Sequence, residues 1–284
     1  MSILPRILGV LLLVLASSAQ DFDRVRAGAA TQSLDSMKQV LPTPPAPVDL
    51  GKVTLREGFL ARLEQGRRDW LDAPLHSQVQ QLDRVRTGKD SRAEIQFHAR
   101  NVLRLAPATT LSLEKLSQEE EDAALEVDVV VEEGGIWAEL DALEEQDVFS
   151  VRTPVMGAAI TGTAFTLDVD KEGVSTLEVI HGEVRVGKSG QRPDPQAPAI
   201  GLDSLRQIMA PLDPRPVKGA PQPVAGPHAV SGPREVSLEE WLVIVKDQQR
   251  LRIGPGGRVL EAGEARPRKD AWHRWNKERN TQGH

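Results

Sequence analysis

The sequence predicts a mainly β protein, built as a β-sandwich or a wrapped two-layer β-sheet with a small helix-containing C-terminal extension. Phe165, Leu167 and Val169 alternate with polar residues, and the same alternation occurs at 93–97. A period of two is typical of a strand with one buried face. Turn signals also recur about every ten residues across residues 48–186, a spacing typical of antiparallel sandwiches.

The strands of this zone follow one another with short breaks. Gly88 and Asp90 predict a tight turn before the run at 92–97, and Gly182 predicts a corner late in the zone. The sequence Lys171–Gly173 predicts a further turn. The runs predicted as strands are 92–97, 102–105, 111–113, 165–169, 177–179 and 184–186.

The N-terminus predicts an export signal. Arg6 supplies a positive charge, residues 7–16 form an apolar run, and Ser17 and Ala19 occupy the −3 and −1 positions of a signal-peptidase site. A membrane-spanning helix needs ~20 apolar residues, about twice this run. We therefore expect cleavage near Ala19, no integral membrane span in the mature chain, and a periplasmic or secreted protein.

Composition restricts the function further. The chain has no cysteine, so a hydrophobic core rather than a disulfide framework must stabilise it. Its net charge of −6 argues against nucleic acid as a partner. It has no tyrosine and five phenylalanines, which removes the usual aromatic cradles for sugars and bases.

Proline marks the borders of the β zone. The segment 20–47, after the signal peptide at 1–19, ends in a proline-rich stretch that is too stiff to pack. Residues 187–235 hold ten of the twenty prolines and predict a linker, with one docked strand near 199–210. Residues 236–284 then form a helical tail.

Gly162 lies between two threonines in a segment that otherwise has the pattern of a strand. Glycine inside a strand marks a bulge, a bend or a close approach of another backbone. The small residues at 157–159 favour close approach, so we predict that the two sheets come together near Gly162. A phosphate-binding loop would have to open a helix, and no helix is predicted to follow.

Five motifs in order resemble FecR-type domains over about residues 51–186. They are "RVRTGKDSRAEIQF", "LRLAPATTLSL", "GGIWAEL", "FSVRTPVMGAAITGTAFTLDV" and "LEVIHGEVRV". The most specific positions, which we interpret as structural, are Thr153, Pro154, Gly162, Thr163, Phe165 and Gly182.

The resemblance implies a periplasmic β-domain, here placed at 48–186, that receives or transmits a signal. In the members that give the family its name, it links a TonB-dependent outer-membrane receptor to an extracytoplasmic-function sigma factor. Those members begin with a cytoplasmic sigma-regulating segment and a membrane span. The predicted export signal implies that this chain lacks both, and that it is an exported interaction module with another envelope protein as partner.

No catalytic or metal-binding pattern stands out. Fourteen acidic residues and one basic residue lie between 114 and 147, but they lack the spacing of a calcium loop. The six histidines show no i, i+4 pair. We expect no enzyme activity, metal or cofactor. A carbohydrate- or peptidoglycan-directed protein and a sigma-factor signalling regulator remain as alternatives.

The tail predicts two helices. Ser237 and Glu240 form a capping box before an apolar stretch that reaches Leu251, and a turn at 255–257 then separates two short extended pieces. Near the end, Trp272 and Trp275 share one face of a basic helix. Together with Arg279 they predict either a partner or membrane contact, or packing on the protein's own core.

Overall fold

A computed structural model describes residues 51–97, 100–118, 123–140, 143–209 and 242–282. The export signal, the proline-rich segment 20–47, the acidic residues 119–122, residues 210–235 of the predicted linker and the capping box lie outside these ranges. The strands are β1 (Lys52–Glu57), β2 (Leu60–Leu63), β3 (Leu71–Asp72), β4 (Arg84–Thr87), β5 (Arg92–Gln96), β6 (Val102–Leu105), β7 (Thr110–Ser117), β8 (Glu126–Glu139), β9 (Val148–Arg152), β10 (Met156–Ile160), β11 (Ala164–Val169), β12 (Ser175–His181), β13 (Glu183–Lys188), β14 (Ile200–Gly201), β15 (Val243–Lys246), β16 (Gln249–Ile253) and β17 (Val259–Glu264). The helices are α1 (Leu202–Met209) and α2 (Ala271–Gln282), with a 3₁₀ turn at Pro255–Gly257.

The predicted two-layer β architecture is confirmed. The front sheet has the order β1-β5-β6-β8-β11-β12-β16-β17, with every pair antiparallel. The back sheet has the order β3-β2-β4-β7-β8-β9-β10-β13-β15-β14, and only its pairs β8–β9 and β14–β15 are parallel.

One long strand, β8, joins the two sheets. Its first part pairs with β7 in the back sheet as far as Glu133, and from Gly134 it pairs with β11 in the front sheet. Gly134 has a φ of +93°, and a β-carbon there would meet the Thr109 backbone, so glycine is required at the bend. Side chains from both sheets, such as Leu167 and Val129, meet in one buried core.

The tail begins differently from the prediction. Residues 243–246 and 249–253 are strands β15 and β16, so the helix predicted to reach Leu251 is wrong over the described residues. The β-branched run Val243-Ile244-Val245 fits a pleated sheet, and β15 pairs with the edge of β13. The turn at 255–257 between two extended pieces is confirmed.

The docked strand predicted near 199–210 is present only at Ile200–Gly201, and Leu202–Met209 form α1 instead. Leu202 and Leu205 are the buried residues of this helix, spaced three apart as one helical face requires. The Arg206 side chain then donates to the Ala262 carbonyl oxygen of the edge strand β17 at 2.7 Å.

The predicted reason for Gly162 is also wrong. Gly162 lies in the turn between β10 and β11, with a φ of +63° and no atom within 4 Å of where a β-carbon would stand. Its left-handed backbone, rather than a close approach, explains the glycine. Close approach occurs at Gly157, where a β-carbon would collide with the Gln191 carbonyl oxygen.

Gly162→Val is therefore expected to lower the free energy of unfolding by about 1–2 kcal/mol, because a β-branched residue is strained in this conformation. Gly162→Asn should cost clearly less, since asparagine tolerates the left-handed region. Urea unfolding of both variants measures the difference. Equal losses would show that the backbone conformation does not explain the glycine.

Candidate interaction site beneath the C-terminal helix

The outer face of the front sheet carries one row of side chains that α2 covers. Strand register places its members side by side on neighbouring strands, each opposite the next. This helix-covered row is Glu94, Arg104, Trp137, Thr166, Glu178 and Arg250. Four of its members carry a formal charge, so the face differs chemically from the apolar core on the other side of the sheet.

Helix α2 begins at a capped end above this row. An Asp270 side-chain oxygen accepts a hydrogen bond from the His273 backbone N–H at 2.9 Å, as an N-cap residue does for the third helical residue. The predicted helix around Trp272 and Trp275 is confirmed.

A buried ion pair lies at one end of the row. Arg104 Nε donates to Glu94 Oε2 at 2.7 Å, and the two side chains are only 5% and 6% exposed. Thr54 donates a further hydrogen bond to Glu94 at 2.8 Å. Burial raises the pKa of Glu94, but hydrogen bonds from Arg104, Thr54 and Arg279 outweigh it and hold the pKa below its usual value. The carboxylate is therefore ionised and its charge is compensated.

Helix α2 completes this network from above. Arg279 donates to Glu94 at 3.3 Å, and Asn276 accepts from Arg104 at 3.4 Å. Asn280 accepts from Arg104 and donates to Glu139. The predicted residue Arg279 thus binds the protein's own sheet.

Two tryptophan rings of α2 cover the middle of the row, where Trp137 lies. Trp272 is 9% exposed and packs with Trp137 and Ala106, while Trp275 stacks on Trp272 with ring centroids 5.3 Å apart. Trp275 is partly exposed, and its indole N–H donates to Glu57 at 3.2 Å. The tail thus packs on its own domain, and partner contact by this pair stays a prediction.

A second charged group lies under the start of α2. Arg268 Nη1 is 2.5 Å from Asp168, and Arg250 Nε is 3.3 Å from Glu178. His273 is buried, with Nε2 4.0 Å from Glu178. Burial, followed by the Arg268 charge, lowers the pKa of His273 below its ordinary value.

Glu178 and His273 respond to acid in opposite directions. Burial raises the pKa of Glu178 above its ordinary value, although Arg268 and Arg250 counteract part of the rise. The folded state therefore favours the uncharged form of both residues.

We predict opposite pH slopes between pH 4.5 and 6.5, the ordinary pKa values of the two groups. As pH falls below 6.5, His273 binds a proton in the unfolded chain but not in the folded one, so the free energy of unfolding decreases. Glu178 binds its proton more readily in the folded chain, so its protonation increases the free energy of unfolding. His273→Gln should make α2 relatively more stable in acid, and Glu178→Gln relatively less. Hydrogen exchange of α2 amides across this range measures both slopes, and identical slopes in the two variants would contradict the assignment.

Some buried polar groups between α2 and the front sheet lack a hydrogen-bond partner among the described residues. Trp137 Nε1, Trp272 Nε1 and Thr166 Oγ1 are buried without a hydrogen-bond partner in the part of the chain that the structure describes. Each such group costs about 1–3 kcal/mol of desolvation. Helix α2 is therefore held by ion pairs and stacking against a measurable penalty.

Five of the six predicted motif residues lie in turns, and the sixth, Phe165, lies in strand β11 and faces the core. Thr153 Oγ1 accepts hydrogen bonds from the Met156 N–H at 3.2 Å and from the Ser175 hydroxyl at 2.7 Å, and Pro154 beside it is exposed. Gly182 has a φ of +89° and lies against Thr163. The remaining two motif residues are Gly162 in its turn and Phe165 in the core. Their contacts shape turns and core.

Sequence reasoning placed Glu94 on the outward face of its strand but did not connect it with Arg104, Glu178 or His273. These residues come from separate strands and from a helix far along the chain. The usable signal was weak: outward charges on short strands, together with asparagine and arginine on a late helix.

The described residues hold no group of three or more histidine, cysteine or acidic side chains arranged to bind a metal ion. Neither of the two described helices is long and apolar enough to cross a membrane.

Comparison with known proteins identifies the central part of the chain. Residues 83–185 match the family model described as FecR protein, and these residues form a FecR domain. A search of curated proteins finds no match. The tail from Leu242 onward lies outside the family match, yet it extends the front sheet at β12 and the back sheet at β13.

Two crystal structures, each of a proposed anti-sigma factor from Parabacteroides distasonis, are similar to this chain. Each shares 12% sequence identity with it, and the TM-scores are 0.38 and 0.37. Each alignment covers 64% of this chain and 60% of the other, so this chain spans less than two thirds of those proteins.

Proposed function

We propose that this FecR-domain protein is a non-enzymatic signalling module of the cell envelope that works by contact with another envelope protein. The observation that carries the proposal is the FecR domain at residues 83–185. Location in the periplasm or outside the cell belongs to the same proposal, and it depends on the predicted cleavage near Ala19.

The chemistry of the helix-covered row agrees with a binding role. Its carboxylates, Glu94 and Glu178, face arginines, and His273 of α2 is buried against the row away from solvent. A general acid or base must reach a substrate within hydrogen-bond distance. Covered in this way, these groups serve adhesion between helix and sheet better than catalysis.

A binding experiment tests the proposal. The mature chain, residues 20–284, would be immobilised and exposed in parallel to an envelope protein extract and to purified peptidoglycan. We expect saturable capture of one defined envelope protein from the extract. The same binding should be seen when that protein is purified and tested alone. Binding of peptidoglycan without any protein would support the carbohydrate-directed alternative and overturn ours.

The FecR domain also favours a narrower candidate, regulation of a sigma factor across the envelope. Deleting the gene should then change the transcript levels of a discrete set of genes. Unchanged transcripts, with envelope protein binding intact, would reject the sigma-factor role and leave the contact module.

A further inference from the structure

Arg86 on the outer face of the back sheet lies over two aromatic rings. Its guanidinium carbon lies 4.2 Å from the centroid of the Trp70 ring and 5.9 Å from that of Phe59. Arg86 and Trp70 are half-buried, and Phe59 is exposed. Stacking against a ring fixes the plane of a guanidinium and leaves its edge N–H groups available for in-plane hydrogen bonds.

Among the residues that the structure describes, the charge of Arg86 has no acidic partner, unlike that of its neighbour Arg84. Arg84, two residues earlier on the same strand face, binds Glu132 through two bonds of 2.9 and 2.5 Å. Within the described ranges Arg86 forms no ion pair, and its Nε is buried without a hydrogen-bond acceptor. A guanidinium carries five N–H donors, so a bound anion could accept hydrogen bonds from Arg86 that no carboxylate of the described residues accepts.

The surroundings favour a particular kind of anion. Phe59, which lies on the same sheet face as Arg86, is 46% exposed. The segment before Trp70 adds little net charge, because Arg67 is paired with Glu64 at 3.4 Å and the exposed Arg68 is followed by the exposed Asp69. A carboxylate on a polypeptide brings apolar neighbours that can cover such rings, whereas a free phosphate ion brings none.

We infer that the arginine–tryptophan patch, formed by Phe59, Trp70 and Arg86, binds an acidic side chain of a partner polypeptide. The carboxylate accepts two hydrogen bonds from the terminal nitrogens Nη1 and Nη2 of Arg86, because Nε is buried, and an adjacent apolar side chain packs on Phe59. This inference rests on the proposed contact function and names the chemistry of the partner.

Nuclear magnetic resonance of the full chain tests the site directly. The Arg86 Nε–H and Trp70 indole N–H signals would be followed during titration with a synthetic peptide of alternating glutamate and leucine. We expect both signals to shift saturably and the affinity to fall with added salt. A matched peptide with glutamine in place of glutamate should bind at least about tenfold more weakly, a difference that corresponds to one lost charged contact.

Two substitutions provide the matched controls. Arg86→Gln should abolish the shift of the Trp70 signal. Arg68→Gln, which removes an exposed charge that salt and water screen, should leave binding within about twofold. Arg86→Lys keeps the charge but loses the planar stack, and it should bind less tightly than the natural chain. Coinciding unfolding curves establish that the variants are folded.

Three outcomes would overturn the inference: equal binding of the glutamine peptide, unchanged binding in Arg86→Gln, or tighter binding of inorganic phosphate or of the anionic polysaccharide polygalacturonate. The two proposals fail separately. Capture of the envelope protein that persists in Arg86→Gln without peptide binding would reject the patch alone. Peptide binding without any captured envelope protein would reject the contact function alone.

Discussion

Arg104→Met is expected to lower the free energy of unfolding by about 3–5 kcal/mol, because it leaves the buried Glu94 carboxylate without its main partner. Glu94 is 6% exposed, so water cannot replace the lost guanidinium. Asn276 and Asn280 lose a partner in the same step. We therefore expect α2 to detach before the sandwich unfolds, which hydrogen exchange of α2 and urea unfolding would measure together.

A matched pair of controls isolates burial as the cause. Arg252→Met removes a guanidinium that lies 3.8 Å from Glu261, where both side chains are about one third exposed. Such a pair contributes about 0–1 kcal/mol, so this variant should unfold almost as the natural chain does. The double variant Glu94→Met/Arg104→Met should lose less than Arg104→Met, since no buried charge is left unpaired. Equal losses in the Arg104 and Arg252 variants would contradict a buried, charge-dependent interface.

Trp272→Ala is the second large effect that we expect. Its ring is 9% exposed and packs on Trp137, so truncation opens a cavity at the centre of the interface. Loss of a buried aromatic side chain costs about 3–5 kcal/mol. Thermal unfolding, together with hydrogen exchange of α2, would show this loss.

Trp275→Ala is the matched comparison, because the ring is partly exposed and stacks on the same neighbour. Its loss should approach the value of an aromatic pair, about 0.5–1.5 kcal/mol. The alternative, in which both rings form an exposed anchor, predicts unchanged stability in both variants and loss of partner capture. Wild-type stability of Trp272→Ala would therefore refute the packed tail.

The strands could be predicted because the alternation of apolar and polar residues within each strand follows from which of its two faces is buried. Residues 165–169 and 93–97 alternate apolar with polar, and the structure places 165–169 in β11 and 93–96 in β5 as expected. Prediction failed where local preference and long-range pairing compete. Residues 243–253 fit a helical face by spacing, but the free edges of β12 and β13 offered hydrogen bonds that only a strand could satisfy.

The candidate site could not be predicted from the sequence, for a different reason. The helix-covered row takes one residue from each of six strands, and strand register aligns them. Register is a property of paired strands, so no single segment carries the signal. At Gly162 the sequence indicated that glycine is needed but not why. The φ angle of +63° in the structure shows that the reason is a left-handed backbone conformation and not the close approach of another backbone.

The amino-acid sequence by itself determined the mainly β class, the turns, the terminal helix and the resemblance to FecR domains, because these depend on periodicity and on short motifs. Only the tertiary structure decided that the tail completes both sheets, that its helix covers a charged row, and that Arg86 alone on its strand face has no carboxylate within the described chain. These features depend on which distant residues become neighbours, and in each case burial and the pairing of charges decide the outcome.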